Sequence, residues 1–187
     1  LDMDNQVMVL NGTREGLFNA VVALGQTGSK ILIPNPFYQV YTVAAMAIGA
    51  QSVYLPARAE SWFLPDLDAL TPEELNQTSV FFLCSPSNPQ GAVASEAYWS
   101  RLLTLAETYD FKIFADECYS EIYRAAPPPG ALQVAAQIGA DPERVVAFHS
   151  LSKRSNLPGL RSGFVASGPK NISRIKQLRA YAGCPVA

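Results

Sequence analysis

Charge is scarce in this chain. Lys, Arg, Asp and Glu make up 16 % of its 187 residues, against about 25 % in an average globular chain. The 14 basic and 16 acidic side chains nearly cancel, leaving a formal charge of -2. That balance speaks against nucleic acid and against an anionic membrane surface as partners. It also leaves too few charges to cover a domain of this size, so part of the surface is expected to be buried against another domain or subunit. No run of 18 apolar residues occurs, and no membrane span is expected. No signal peptide is visible, and the first residue is Leu1. The cysteines Cys84, Cys118 and Cys184 are odd in number and far apart. They form neither a disulfide framework nor a metal-binding spacing, and fit a reducing, cytoplasmic setting. Repeats and low-complexity segments are absent.

What is present is apolar residue, 49 % of the total, enough for one domain with a sizeable core. It is arranged in short runs that alternate with helical periodicity. Seven runs read as strands, at about 7–10, 30–34, 51–55, 80–83, 111–115, 145–149 and 162–166. Helices are expected after Thr13, after Tyr38, and over 95–109, 131–139 and 169–182. Residues 56–79 read as a surface excursion, with a short helix opened by Thr71-Pro72-Glu73-Glu74. Strand alternating with helix predicts an α/β fold: a mostly parallel seven-stranded sheet with helices on both faces, an α/β/α sandwich.

In open sheets of this class, ligands sit beyond the carboxyl ends of the strands. Gly12, Thr13, Tyr38, Asn88, Asp116, Tyr119, Ser150 and Lys153 each fall just after a strand. The stretch Phe148 to Val165, FHSLSKRSNLPGLRSGFV, is the densest in chemistry. It places an amine (Lys153), two hydroxyls (Ser150 and Ser152) and a guanidinium (Arg161) within twelve residues. Such a set can grip a phosphate and offer an amine to a carbonyl. A lone loop lysine is ordinarily a solvated charge, and Thr13 could simply cap its helix. The order of the motifs is more specific than any one of them.

Gly-Thr-x before a helix, Asn-Pro-x-Tyr, Asn-Pro-x-Gly, Asp-x-x-Tyr and Ser-x-Ser-Lys with a downstream Arg-x-Gly follow one another along nearly the whole chain. The series resembles the class I/II aminotransferases of the aspartate aminotransferase fold type, which use pyridoxal 5'-phosphate. The resemblance implies that Lys153 is the Schiff-base lysine, that Asp116 faces the pyridine nitrogen, and that Asn88 and Tyr119 hold the phenolic oxygen. It makes Tyr38 the stacking aromatic, and Gly12, Thr13, Arg14, Ser150, Ser152 and Arg161 the phosphate cup. Lys153, Asp116 and Tyr119 would carry the catalysis. The segments LNGTREGLF, NPFYQVY, CSPSNPQG and ADECYSEIY look most like members acting in lysine biosynthesis. Amino acid and 2-oxo acid substrates and a homodimer are implied. The resemblance also implies an N-terminal arm and a C-terminal small domain bearing an arginine for the substrate carboxylate. Residues 1–187 are expected to match only the large, cofactor-binding domain. A β-lyase of the same fold type, or a cofactor-sensing domain of a transcriptional regulator, would share these residues.

Overall fold

Each of the seven apolar runs forms a strand, and all seven join in one sheet. The computed structural model describes residues 1–182; Cys184 lies outside them. The strands are β1 (Val7–Leu10), β2 (Lys30–Asn35), β3 (Gln51–Pro56), β4 (Thr78–Cys84), β5 (Lys112–Asp116), β6 (Val145–Ser150) and β7 (Gly163–Ser167). Their spatial order is β1-β7-β6-β5-β4-β2-β3. The five strands from β6 to β3 are mutually parallel. β7 alone runs the other way, antiparallel to both β6 and β1.

The central strands read as unbroken apolar runs because both faces of the sheet are covered. Successive residues point to opposite faces. Thus Ile31, Ile33, Val80, Phe82, Phe114, Val146 and Phe148 join one core, while Leu32, Phe81, Leu83, Ile113, Ala115, Val145 and Ala147 join the other. The first core is closed by α1 (Thr13–Leu24), α2 (Val40–Ala47) and α7 (Pro169–Ala182), through Leu17, Val21, Ala44, Ile172 and Ile175. The second is closed by α4 (Glu96–Tyr109) and α5 (Ala131–Ile138), with Trp99, Leu102 and Val134 fully buried. Trp99 also donates its indole N–H to the Pro129 carbonyl at 3.1 Å.

Residues 56–79 are more tightly built than a surface excursion. Leu64, Leu67 and Leu75, the last from α3 (Pro72–Asn76), are buried in the second core, and Thr78 and Ser79 already belong to β4. Thr71 caps α3 reciprocally with Glu74, as the Thr-Pro-Glu-Glu start signal predicts.

The register lines up the ends of three strands. Cys84 pairs with Asp116, and Asp116 with Phe148. The ladder runs one rung further, with Ser85 N–H donating to the Asp116 carbonyl and Glu117 N–H to the Phe148 carbonyl. The chain therefore leaves β4, β5 and β6 along one edge. Because β7 is reversed, its start lies on that same edge, with Gly163 opposite Ser150. This explains how Arg161, which precedes a strand, meets residues that follow strands.

Gly163 has no room for a side chain: a Cβ there would meet the His149 carbonyl oxygen at 2.5 Å. Gly163→Ala should push β7 from β6 and lower stability by about 1–3 kcal/mol, read as a reduced urea midpoint. An unchanged midpoint would contradict this close approach.

Candidate active site

β5 ends in Asp116, whose side chain is only 5 % exposed. A buried carboxylate needs donors. The Tyr41 hydroxyl donates to Oδ2 at 2.7 Å, and the Cys118 N–H to Oδ1 at 3.3 Å. Tyr41 comes from α2 and is itself buried, its ring stacked on Phe82 with centroids 4.2 Å apart. Burial, and then the charge on Asp116, push its phenol well above the usual value of 10.0, so it remains a proton donor through neutral and mildly alkaline pH. Burial and the same carboxylate also raise the thiols of Cys84 and Cys118, which stay uncharged. Cys118 donates to Thr13 Oγ1 at 3.3 Å and so ties the turn after β5 to the start of α1.

The turn after β4 carries Asn88, whose Nδ2 donates to the Tyr119 hydroxyl at 3.2 Å. Tyr119 accepts that bond and keeps its own proton for a further acceptor. Its phenol is raised, mainly by burial.

Beyond β6, Ser150 is buried and accepts from the Ser152 N–H at 3.1 Å, opening the single turn of α6 (Leu151–Arg154). Lys153 lies on that turn, exposed. Arg161 follows in a left-handed conformation, φ 47°. Its Nη1 donates to the Pro158 carbonyl at 2.9 Å and to Ser152 Oγ at 3.4 Å. Nη2 rests on Gly12, where any Cβ would overlap it. Gly12 also has φ 79°, so glycine is required there twice over. Gly12, not Thr13, holds the N-cap position of α1, and no side chain caps that helix end. Its first N–H groups and positive dipole end are therefore available to an anion.

The remaining cation behaves differently. Arg14 Nε donates to the Tyr38 hydroxyl at 2.6 Å, with Cζ 5.9 Å from the ring centroid. Tyr38 in turn packs edge-on to Tyr41, at 5.9 Å and 79°.

These groups surround one cavity of about 590 Å³. Thr13, Arg14, Tyr38, Asn88, Asp116, Tyr119, Ser150, Ser152, Lys153 and Arg161 all line it, and Gly12 lies beneath Arg161. Tyr41, Cys84, Cys118 and Phe63 line it too, although no motif marks them. Tyr41 alone had a signal, its place three residues after Tyr38 and in the first turn of α2. Among the described residues, no group of His, Cys, Asp and Glu side chains is placed to hold a metal ion.

Residues 1–182 match the family model described as aminotransferase class I and II. An LL-diaminopimelate aminotransferase of Syntrophobacter fumaroxidans is 33 % identical over 183 residues, covering 96 % of this chain and 46 % of its own length. An LL-diaminopimelate aminotransferase 2 from a Nostoc species is 32 % identical over 96 % of this chain and 45 % of its own length. Among solved structures, an aminotransferase from Neisseria meningitidis superposes with a TM-score of 0.91 at 40 % identity, over 98 % of this chain and 47 % of that one. A probable N-succinyldiaminopimelate aminotransferase from Thermus thermophilus gives 0.90 at 29 % identity, over 98 % of this chain and 48 % of that one. The chain thus spans about half the length of the relatives it matches.

Tyr41→Phe removes the hydroxyl donor to Asp116 and should cost about 1.5–3 kcal/mol at pH 7. The folded phenol holds its proton more tightly than the unfolded one, whose ordinary value is 10.0. The stability it contributes is thus fully present below pH 10 and declines above it, as the unfolded phenol ionises and the folded one does not. Urea titrations should therefore show the gap between wild type and variant narrowing above pH 10. A gap that stays constant to pH 11 would contradict a Tyr41 phenol held in its protonated form by burial and by Asp116.

Proposed function

The chain belongs to the class I and II aminotransferase family, and on that premise we propose that it is the cofactor-binding large domain of an enzyme moving an amino group between an amino acid and a 2-oxo acid with pyridoxal 5'-phosphate. The observation that carries this reading is the meeting, in one cavity, of a buried carboxylate, a phenol–amide pair, an amine and an arginine beside an uncapped helix start. The donor set fits the cofactor's polar groups. Above all, Gly12 leaves open the space in which Arg161 lies against the start of α1, as a phosphate cup requires.

When bound, pyridoxal phosphate supplies an aldehyde that an amine can capture and a ring that draws electrons from an attached carbon. The chain's residues divide the remaining work. Arg161, Ser150, Ser152 and the first turn of α1 at Gly12 and Thr13 grip the phosphate. Tyr38 covers one ring face. Asp116, held by Tyr41, favours a proton on the ring nitrogen, because an opposite charge at contact stabilises the charged form. Tyr119, braced by Asn88, donates to the ring oxygen. Lys153 Nζ offers the amine and then holds the proton removed from the substrate carbon.

N-succinyldiaminopimelate, in lysine biosynthesis, is the substrate we favour. The Thermus neighbour supports it, and the LL-diaminopimelate enzymes among the relatives support the diaminopimelate skeleton without the succinyl group. Self-association as a homodimer is part of the same proposal, supported by exposed apolar side chains such as Trp62, Leu157 and Leu160.

Adding pyridoxal phosphate and then borohydride should fix one cofactor mass on the peptide containing Lys153, and Lys153→Ala should abolish it. Lys112 is the sharpest control: burial lowers its amine pKa, yet it opens β5 at the opposite edge, against the Glu143 carbonyl. Labelling there, with Lys153 unmodified, would overturn the reading.

A further inference from the structure

We infer that an ion pair outside the cavity, Glu15 with Arg179, sets how strongly the start of α1 binds a phosphate. Arg179 is a positioning residue in this scheme: it holds the Glu15 carboxylate away from the N–H groups that the anion needs. The inference rests on the cofactor cup of the aminotransferase reading and adds to it a control from α7.

The start of α1 carries its own competitor for an anion. With Gly12 as N-cap, Glu15 stands at the third helical position and is the acidic residue of the first turn. A glutamate at that position ordinarily folds back on the N-cap N–H. Its charge then occupies the positive end of the helix. Here the carboxylate makes a different bond. Oε2 accepts from the N–H of Asn11, the residue before the N-cap, at 2.8 Å.

The other oxygen explains the difference. Oε1 accepts from Arg179 Nε at 2.8 Å and from Asn19 Nδ2, one turn further along α1, at 3.5 Å. Arg179 is the basic residue in the last turn of α7, and α1 and α7 close the same core. The two side chains are only 19 % and 15 % exposed, so salt screens this pair less than a surface one. Neither residue lines the cavity. Arg179 therefore acts on a bound phosphate only through Glu15, by cancelling its charge and fixing its direction.

The helix itself cannot make the adjustment. A Cβ at Gly16 would meet Leu10 Cδ1 at 2.4 Å, so α1 is pressed onto β1. Thr13 is tied to Cys118 on its other side. With the backbone held, the rotamer and net charge of Glu15 are the variables left. Without Arg179, an uncompensated carboxylate one turn from the cup repels a phosphate and is free to take the Gly12 N–H.

The test titrates three ligands into the 187-residue chain: pyridoxal phosphate, pyridoxal, which lacks the phosphate, and inorganic phosphate. Arg179→Gln should weaken both phosphate ligands about tenfold and leave pyridoxal within about twofold. Arg179→Lys should keep most of the affinity. Adding Glu15→Gln to Arg179→Gln removes the charge but keeps an acceptor for the Asn11 N–H, and should restore both phosphate ligands. A merely structural pair would lower the urea midpoint in Arg179→Gln and weaken all three ligands alike or none, with no rescue by Glu15→Gln. That pattern would overturn the inference. A wild type that binds no inorganic phosphate and prefers pyridoxal phosphate to pyridoxal by nothing would overturn it as well. If the phosphate ligands respond as expected but borohydride fixes no cofactor at Lys153, the aminotransferase reading fails and the control of the anion site by Arg179 stands.

Discussion

A carboxylate buried at the end of a central strand is costly, and the arrangement around Asp116 follows from meeting that cost. An ionised carboxyl group removed from water needs charge-assisted hydrogen bonds to compensate. Tyr41 supplies one from α2, and the turn after β5 supplies another through its own N–H. The Tyr41 hydroxyl can reach Asp116 only if α2 packs against the sheet, and the Tyr41–Phe82 stack fixes that packing. Cys118 extends the linkage to α1 through Thr13. One buried charge thus couples two helices and a strand end, and it does so at the edge where the turns that line the cavity emerge.

The other constraint is topological. Parallel strands deliver their C-terminal turns to one edge, which gathers Tyr38, Asn88, Tyr119 and Ser150 without further design. Arg161 reaches the same edge from the opposite direction, because β7 is antiparallel. The lysine loop is therefore a hairpin-like link between β6 and β7, short enough that Lys153 and Arg161 line the same cavity. Gly12 and Gly163 permit the two closest approaches, one under a guanidinium and one against a backbone carbonyl.

The strands were legible because each is an apolar run bounded by turn residues, and burial on both faces leaves no polar alternation to confuse the pattern. The clustering of the candidate residues in one cavity was legible because nearly all of them follow strands, which reduces a three-dimensional cluster to a positional rule. What escaped lies where side chains meet across elements. Tyr41 looks like one more apolar residue of α2 until its hydroxyl is seen on Asp116. Arg14 follows the Gly12-Thr13 pair that is expected to meet a phosphate, yet its side chain donates to a tyrosine 24 positions away. The packing of Leu64 and Leu67 under residues 56–79 was hidden by prolines and acids that read as loop. The reversal of β7 leaves no mark in its five residues, since antiparallel and parallel buried strands share the same composition.

The proposed chemistry depends on Asp116 being the partner of a pyridine nitrogen, and ring protonation would read that contact directly. With pyridoxal phosphate labelled with nitrogen-15 in the ring and loaded onto the chain, the nitrogen resonance should be that of a protonated pyridine at neutral pH. In Asp116→Ala the cofactor should remain bound, because Lys153 and the phosphate cup are intact, and the resonance should shift to that of a neutral ring. A ring that stays protonated without the carboxylate would contradict the account.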